Sequence, residues 1–233
     1  MAIHPIEFRY GTPEMKQVFS EEHRFRCIIE AEIALAHAEG ALGMIPREDA
    51  EIIAEKAREA SLERSKEIEE EIHHDMMAVV RAVSEVCGQA GRWIHYGATS
   101  NDILDTATGL QLRDALDILE TKLNKLLSVL LDRAEETRHL VCIGRTHGQH
   151  GVPTTYGLRF AIWASEIGRH IERLSQMRPR VCVGQLTGAV GTQAALGKQG
   201  MEIQEQMMKY LNISSVDVSN QIIQRDQIGR EHV

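Results

Sequence analysis

"LRDALDILETKLNKLLSVL", residues 112–130, decides the fold. Leu112, Leu116, Leu119, Leu123, Leu126 and Leu130 recur at alternating steps of four and three, a seam close to a heptad repeat. Extended outward, the helical pattern runs from Asp102 to about His139, which is roughly 57 Å at about 1.5 Å per residue. A helix of that length exceeds the interior of a compact domain of 233 residues. The sequence therefore predicts an elongated bundle of long helices shared between subunits.

Helical spacing continues on both sides. "GTPEM" (11–15) reads as a helix start, with Thr12 as N-cap, Pro13 at the first helical position and Glu14 on the positive end of the dipole. From Ser20, Phe25, Ile28, Ile29, Ile33 and Ala36 trace a second helix that stops near Gly40 to Gly43. Pro46 opens a short helix over "REDAEIIAEKAREA" (47–60). "SKEIEEEIHHDMMAVVRAVSEVCGQAG" (65–91) begins acidic and ends at glycine, the expected polarity of one further helix. Downstream, long helical patterns cover about Thr154 to Met177, ended by Pro179, and Gly200 to Leu211. Two Gly/Thr-rich stretches, "GRTHGQHGVPTT" (144–155) and "GQLTGAVGTQAALG" (184–197), read as loops. "RPRVCVGQL" and "SSVDVS" offer short extended pieces at most. The fold class is all-α, with an N-terminal helical domain over 1–98 and the first part of a long-helix bundle over 99–233. "SNQIIQRDQIGREHV" (219–233) leads into a new helix that stops within a turn or two, so the chain is expected to be part of something longer.

Composition narrows the function classes. Hydrophobic residues make up 43% and charged residues 26%, ordinary for a globular protein. A net charge of −8 argues against nucleic acid as a partner. No apolar run reaches the length of about 18 residues that a membrane helix needs, and "MAIHPIEFRY" lacks the pattern of a secretion signal. Cys27, Cys87, Cys142 and Cys182 lie far apart without a CxxC pair, which argues against a zinc site or a disulfide framework and for reduced thiols in the cytoplasm.

Polar clusters carry what chemistry the sequence suggests. "HYGATSNDILDT" (95–106) places Thr99, Ser100, Asn101 and Asp102 together at a helix start, more than one cap requires. With the free N–H groups and the dipole behind them, these side chains suit a carboxylate or phosphate oxygen. "HHD" (73–75) is either the solvated face of a helix or part of a site, and it lacks the HExxH spacing of a zinc motif. "GRTHGQH" (144–150) is either a plain connector or a functional loop, and "TGAVGT" (187–192) has no GK[ST] to make it a Walker site. Arg9-Tyr10 is either an anchor for the first helix or a ligand contact.

Taken in order, "RYGTPEM" (9–15), "HYGATSNDILDT", "GRTHGQH", "TGAVGT" and "SNQIIQRD" (219–226) resemble the fumarase/aspartase superfamily, and within it the adenylosuccinate lyase family. The resemblance runs from residue 9 to the last residue and covers roughly the first half of a family member. It implies an anti β-elimination that releases fumarate from adenylosuccinate, giving AMP, and from the succinylated aminoimidazole carboxamide ribotide. Such a reaction needs preorganised donors for an aci-carboxylate and an acid of pKa near 7 for the leaving nitrogen, a role imidazole suits. Carried onto matching positions, the resemblance implies His147 as general acid with Thr146 touching substrate, and Thr99 and Ser100 holding the succinyl carboxylate. It likewise implies Gln221 on the succinyl part, Arg9 and Tyr10 at the phosphate end, and His74 and Asp75 in the family's R-H-D triplet. His73 departs from the arginine of that triplet. The family's base is a serine in "S-S-x-M-P-x-K-x-N-P"; no such stretch occurs, the nearest residues being Ser214-Ser215 in "NISSVDV" (212–218), so the 233 residues alone are expected to be inactive. The resemblance further implies a homotetramer with active sites shared between subunits, a small anionic succinyl-purine nucleotide as substrate, and neither metal nor organic cofactor. A 3-carboxymuconate cycloisomerase-like enzyme and a non-catalytic helical assembly protein remain the alternatives.

Overall fold

The computed structural model describes residues 9–228. It is helical in its main elements, as the sequence predicts, and it divides into two compact units: residues 1–114 with 179–233, and residues 115–178. This grouping follows compactness; the 98/99 boundary instead marks where the long helix is about to start. Among the described residues, no helix is long and apolar enough to cross a membrane, and no disulfide joins the four cysteines.

The first unit opens with α1 (Pro13–Val18) and α2 (Glu21–Ala41). Thr12 precedes Pro13 in extended conformation, as expected, but its side chain makes no capping bond. Ser20 does cap: its hydroxyl accepts the His23 N–H at 3.1 Å. α2 is the core helix, apolar almost all round, with Phe25, Ile28, Ile29, Ile33 and Leu35 buried. It packs against α3 (Arg47–Lys56) and against α8 (Gly200–Leu211), the latter with the bounds the sequence predicts.

The helix expected over 65–91 is two helices. α4 (Leu62–Ile72) ends at His73, whose φ of 53° is left-handed, and α5 (Asp75–Cys87) starts after His74. His74 turns its ring into the N-cap, Nδ1 accepting the Met77 N–H at 3.3 Å. A polar pair can therefore stop and restart a helix without glycine or proline, because His tolerates the left-handed region better than β-branched residues do.

α6 (Ser100–Glu136) is the long helix, 37 residues, and α7 (Tyr156–Val181) the second. Pro179 lies inside α7 rather than ending it. Two residues from the C-terminus, its missing N–H costs one bond in the last turn. In the first unit, the short parallel pair β3 (Val183–Gly184) and β4 (Ser214–Ser215) confirms the weak extended signals. α9 (Arg225–Ile228) begins the helix expected after Asn220; the rest of that expectation, 229–233, lies outside the described residues.

The second unit corrects the sequence reading. The stretch expected to be a loop is an antiparallel hairpin, β1 (Val141–Thr146) with β2 (Gln149–Thr155), bulged between Ile143 and Arg145. Its turn is His147-Gly148, with φ of 49° and 72°, the two left-handed residues that a type I′ hairpin requires. On the same unit, Arg178 bridges Asp117 and Glu120 at 2.7 and 2.9 Å. The leucine seam is only partly covered within the chain: Leu116 is buried, whereas Leu119 and Leu126 stand 40% and 43% exposed.

Two glycines mark close approaches. Gly109 on α6 faces the Val183 carbonyl so closely that a methyl group would collide with it, and a Cβ on Gly184 would sit 2.6 Å from Met208 Sδ. Gly109→Ala is expected to cost about 1–3 kcal/mol through overpacking and to lower the thermal midpoint by several degrees in a differential scanning measurement.

Candidate functional site

The N-terminal end of α6 organises the polar residues of the first unit. Thr99 precedes the helix and Asp102 is its third residue, so Asp102 reaches back to the Thr99 N–H at 2.9 Å, one half of a capping box. The carboxylate does more than cap. Its Oδ1 accepts the Thr187 N–H at 2.9 Å and its Oδ2 the Gly188 N–H at 3.0 Å. Asp102 is fully buried, and burial pushes its carboxyl above the usual range against the opposing pull of these three N–H groups and of His95.

Asp105 and Thr106, one turn on, continue the same work. Asp105 accepts the Ile223 N–H and an Arg225 Nη1–H, both at 2.9 Å. The Thr106 hydroxyl accepts the Gln185 N–H at 3.1 Å. Thr187 in turn meets the Ser219 hydroxyl at 2.8 Å and donates to the Asn220 carbonyl at 3.0 Å. The side-chain amide of Gln185 donates to the Gln221 carbonyl at 2.9 Å. Three stretches separate in sequence, 99–106, 185–188 and 219–225, are thus laced together at one helix end.

Thr99 and Ser100 sit in this knot, each half-buried. Gln221 belongs to it through its backbone, while the residue remains exposed. The surplus polarity of "TSND" is divided: Asp102 is consumed internally, and it leaves the Thr99 and Ser100 hydroxyls at a helix N-terminus, where the first-turn N–H groups lack intrahelical partners.

His73, His74 and Asp75 lie at the α4–α5 junction, all exposed, with His74 Nδ1 3.6 Å from Asp75 Oδ1. Asp75 also lines a small cavity of 120 Å³ with Arg24, Lys66 and Leu104. Arg9 and Tyr10 are exposed. Thr146 and His147 belong to the second unit, exposed at the hairpin tip. A cavity of 470 Å³ lined by Glu22, Arg26, Glu30 and Arg58 contains none of the residues singled out from the sequence. Cavity size therefore does not mark the site here; the convergence of polar contacts does.

Sequence reasoning missed a buried acidic row on α2. Glu32 accepts the His95 N–H at 3.0 Å and pairs with His95 Nδ1 at 2.7 Å. Burial lowers the His95 pKa, but the Glu32 hydrogen bond and the charges of Glu32 and Asp102 outweigh it, and the net shift is upward. Glu39, two turns on, is fully buried, and neither carboxylate oxygen has a hydrogen-bond partner among the described residues. Burial, with the Glu32 charge, pushes its pKa up to about 9. The signal was available: charged residues interrupt the otherwise apolar "CIIEAEIALAHAEGAL" (27–42) at Glu30, Glu32 and Glu39.

The sequence profile of the family described as "Lyase" matches residues 7–230. The chain belongs to the lyase family. This lyase-family chain is 53% identical over 230 residues to the adenylosuccinate lyase of Methanocaldococcus jannaschii, an alignment covering 97% of this chain and 50% of that protein. It is 40% identical to the N-acetyl-S-(2-succino)cysteine lyase of Dickeya dadantii, covering 94% of this chain and 50% of that protein. The crystal structure of a fumarate lyase from Mesorhizobium sp. BNC1 matches with a TM-score of 0.82 and 35% identity, over 90% of this chain and 51% of that one. The chain spans about half the length of the curated relatives it matches.

Asp102→Ala orphans three backbone N–H groups and is expected to cost about 3 kcal/mol or more, with amide exchange accelerating at Thr187 and Gly188 in a hydrogen-exchange measurement. Glu39 keeps its proton in the folded chain up to pH about 9, whereas the unfolded chain loses it near 4.5. Its contribution is therefore most favourable below pH 4.5 and is lost as pH rises towards 9. Glu39→Gln should flatten the decline in denaturation midpoint between these limits and raise stability at neutral pH.

Proposed function

We propose that the protein to which these residues belong is an adenylosuccinate lyase, eliminating fumarate from adenylosuccinate and from the succinylated aminoimidazole carboxamide ribotide in the cytoplasm. The observation that carries this reading is the identity to an adenylosuccinate lyase across nearly the whole chain, 53% against 40% for the succinocysteine lyase. In this reading His147 protonates the departing purine nitrogen, with Thr146 beside it on substrate. The Thr99 and Ser100 hydroxyls, at the positive end of α6, hold the succinyl carboxylate as negative charge grows on it. Gln221 contacts the succinyl part, and Arg9, Tyr10, His73, His74 and Asp75 serve the phosphate end. The domain reading stands with it: 1–98 as a helical domain and 99–233 as the opening of a long-helix bundle.

Assembly as a homotetramer belongs to the same proposal. Its support is the apolar surface left uncovered within the second unit: Leu126 and Leu131 on α6, and Leu158, Ile162 and Trp163 on α7. Exposed apolar patches of this kind mark association surfaces. No "SSxMPxKxNP"-like stretch lies within the 233 residues, so the base comes from sequence outside them in this reading.

The test is a fumarate-release assay on a full-length protein containing these residues. Turnover of adenylosuccinate is expected, with kcat lowered about 10²–10⁴-fold in His147→Ala, and none from the 233 residues alone. Turnover of N-acetyl-S-(2-succino)cysteine with adenylosuccinate left untouched would overturn the assignment.

A further inference from the structure

Away from the α6 N-terminus, α2 and α6 bring together three ligand-capable side chains. His23 and Cys27 are one turn apart on α2 and so share a face. Asp114 comes from α6, and its Oδ2 lies 3.0 Å from His23 Nε2. The ligand-capable atoms of all three lie within 4.8 Å of one another. In a tetrahedral zinc site, bonds of about 2.0–2.3 Å to N, O and S put the ligand atoms about 3.3–3.6 Å apart. The observed spacing is therefore reached by side-chain adjustment alone.

The carboxylate of the cluster is held in place by a neighbour. Arg113 donates from Nε and Nη2 to Asp114 Oδ1 at 2.9 and 2.8 Å, and its Nη1 is anchored on the Leu211 carbonyl at 2.8 Å. This fixes the carboxylate and leaves Oδ2 turned towards His23, the arrangement in which a neighbour orients a metal ligand. Cys27 is buried at 5% exposure, whereas the His23 and Asp114 side chains are 24% and 26% exposed. The cluster thus has a buried thiol floor and a partly exposed rim. Burial, with the charges of Asp114 and Glu30, pushes the Cys27 thiol up to about 12 against the pull of Arg113 and Arg24, so metal binding must displace the thiol proton.

We propose that His23, Cys27 and Asp114 form a binding site for a borderline-soft divalent cation of the zinc class, clamping α2 to α6. One imidazole, one thiolate and one carboxylate make a donor set that zinc and cobalt accept and that calcium and magnesium, which prefer all-oxygen shells, do not. On binding, the thiol proton leaves to solvent and a metal–sulfur bond forms. No short sequence motif announces the site, since one ligand lies far along the chain from the other two.

The experiment is a titration of the reduced, metal-free chain with Co(II), followed by visible and near-ultraviolet absorption and then by displacement with Zn(II). One equivalent is expected to bind with tetrahedral d–d bands and a thiolate charge-transfer band, and Zn(II) is expected to raise the thermal midpoint. Cys27→Ala should lose the charge-transfer band, and His23→Gln and Asp114→Asn should each weaken binding at least tenfold. Cys142→Ser should leave it unchanged. His23 sits at the rim, so His23→Gln tests the site even if Cys27→Ala fails to fold. Absence of stoichiometric binding, full affinity in His23→Gln, or loss of the band in Cys142→Ser would each overturn the proposal.

Discussion

The carboxylate of Asp102 is the constraint on which the first unit hangs. A buried carboxylate is costly unless its lone pairs are met, and here one local and two distant backbone N–H groups meet them. Because each N–H comes from main chain rather than from a side chain, the contact fixes backbone position as well as charge. The helix start, the glycine-rich 187–191 stretch and, through Thr187, the 219–220 turn are therefore held in one mutual geometry. Neutral partners at Asp102 leave the region's charge to be set by its neighbours, and His95, leaning on Glu32, is the nearest of these in the electrostatic sense.

That arrangement explains why polar residues interrupt α2, otherwise the most apolar helix of the chain. Glu32 is useful because it gives the left-handed residue His95 two acceptors, one for its N–H and one for its ring. Glu39 has no such compensation among the described residues. A group of this kind is tolerated in its neutral form, and burial keeps it neutral.

Much of the helical framework was legible because it rests on local rules. Pro13 after Thr12, the apolar spacing from Ser20 onward, and the helical pattern of 200–211 are each written within a few residues, and the structure repeats them. The errors share a cause too. His73, His95 and His147 all adopt positive φ, a choice that glycine or asparagine would have announced and histidine does not. The break between α4 and α5 and the hairpin turn at 147–148 were missed for that reason. In the candidate site, Thr99 and Ser100 could be placed by helix-start chemistry alone. Asp102, Asp105 and Thr106 could not be given partners, because those partners lie 79 to 120 residues further along.

Those separations bear on the order in which the chain can fold. The first unit is discontinuous, its second piece beginning only at Pro179. During synthesis from the N-terminus, the contacts of α2 with α3 and of α4 with α5 can form early, whereas those of α2 with α8 await residues 200–211. The two aspartates at the start of α6 must wait, solvated, until residues 187–225 have left the ribosome. Loop closure over such a span adds only slowly to the entropic cost, but it delays the step in time. The knot at the helix end is thus the last part of the unit to close, and until it does the flank of α6 that carries Ile103, Ala107 and Leu110 is a surface on which a chaperone can act.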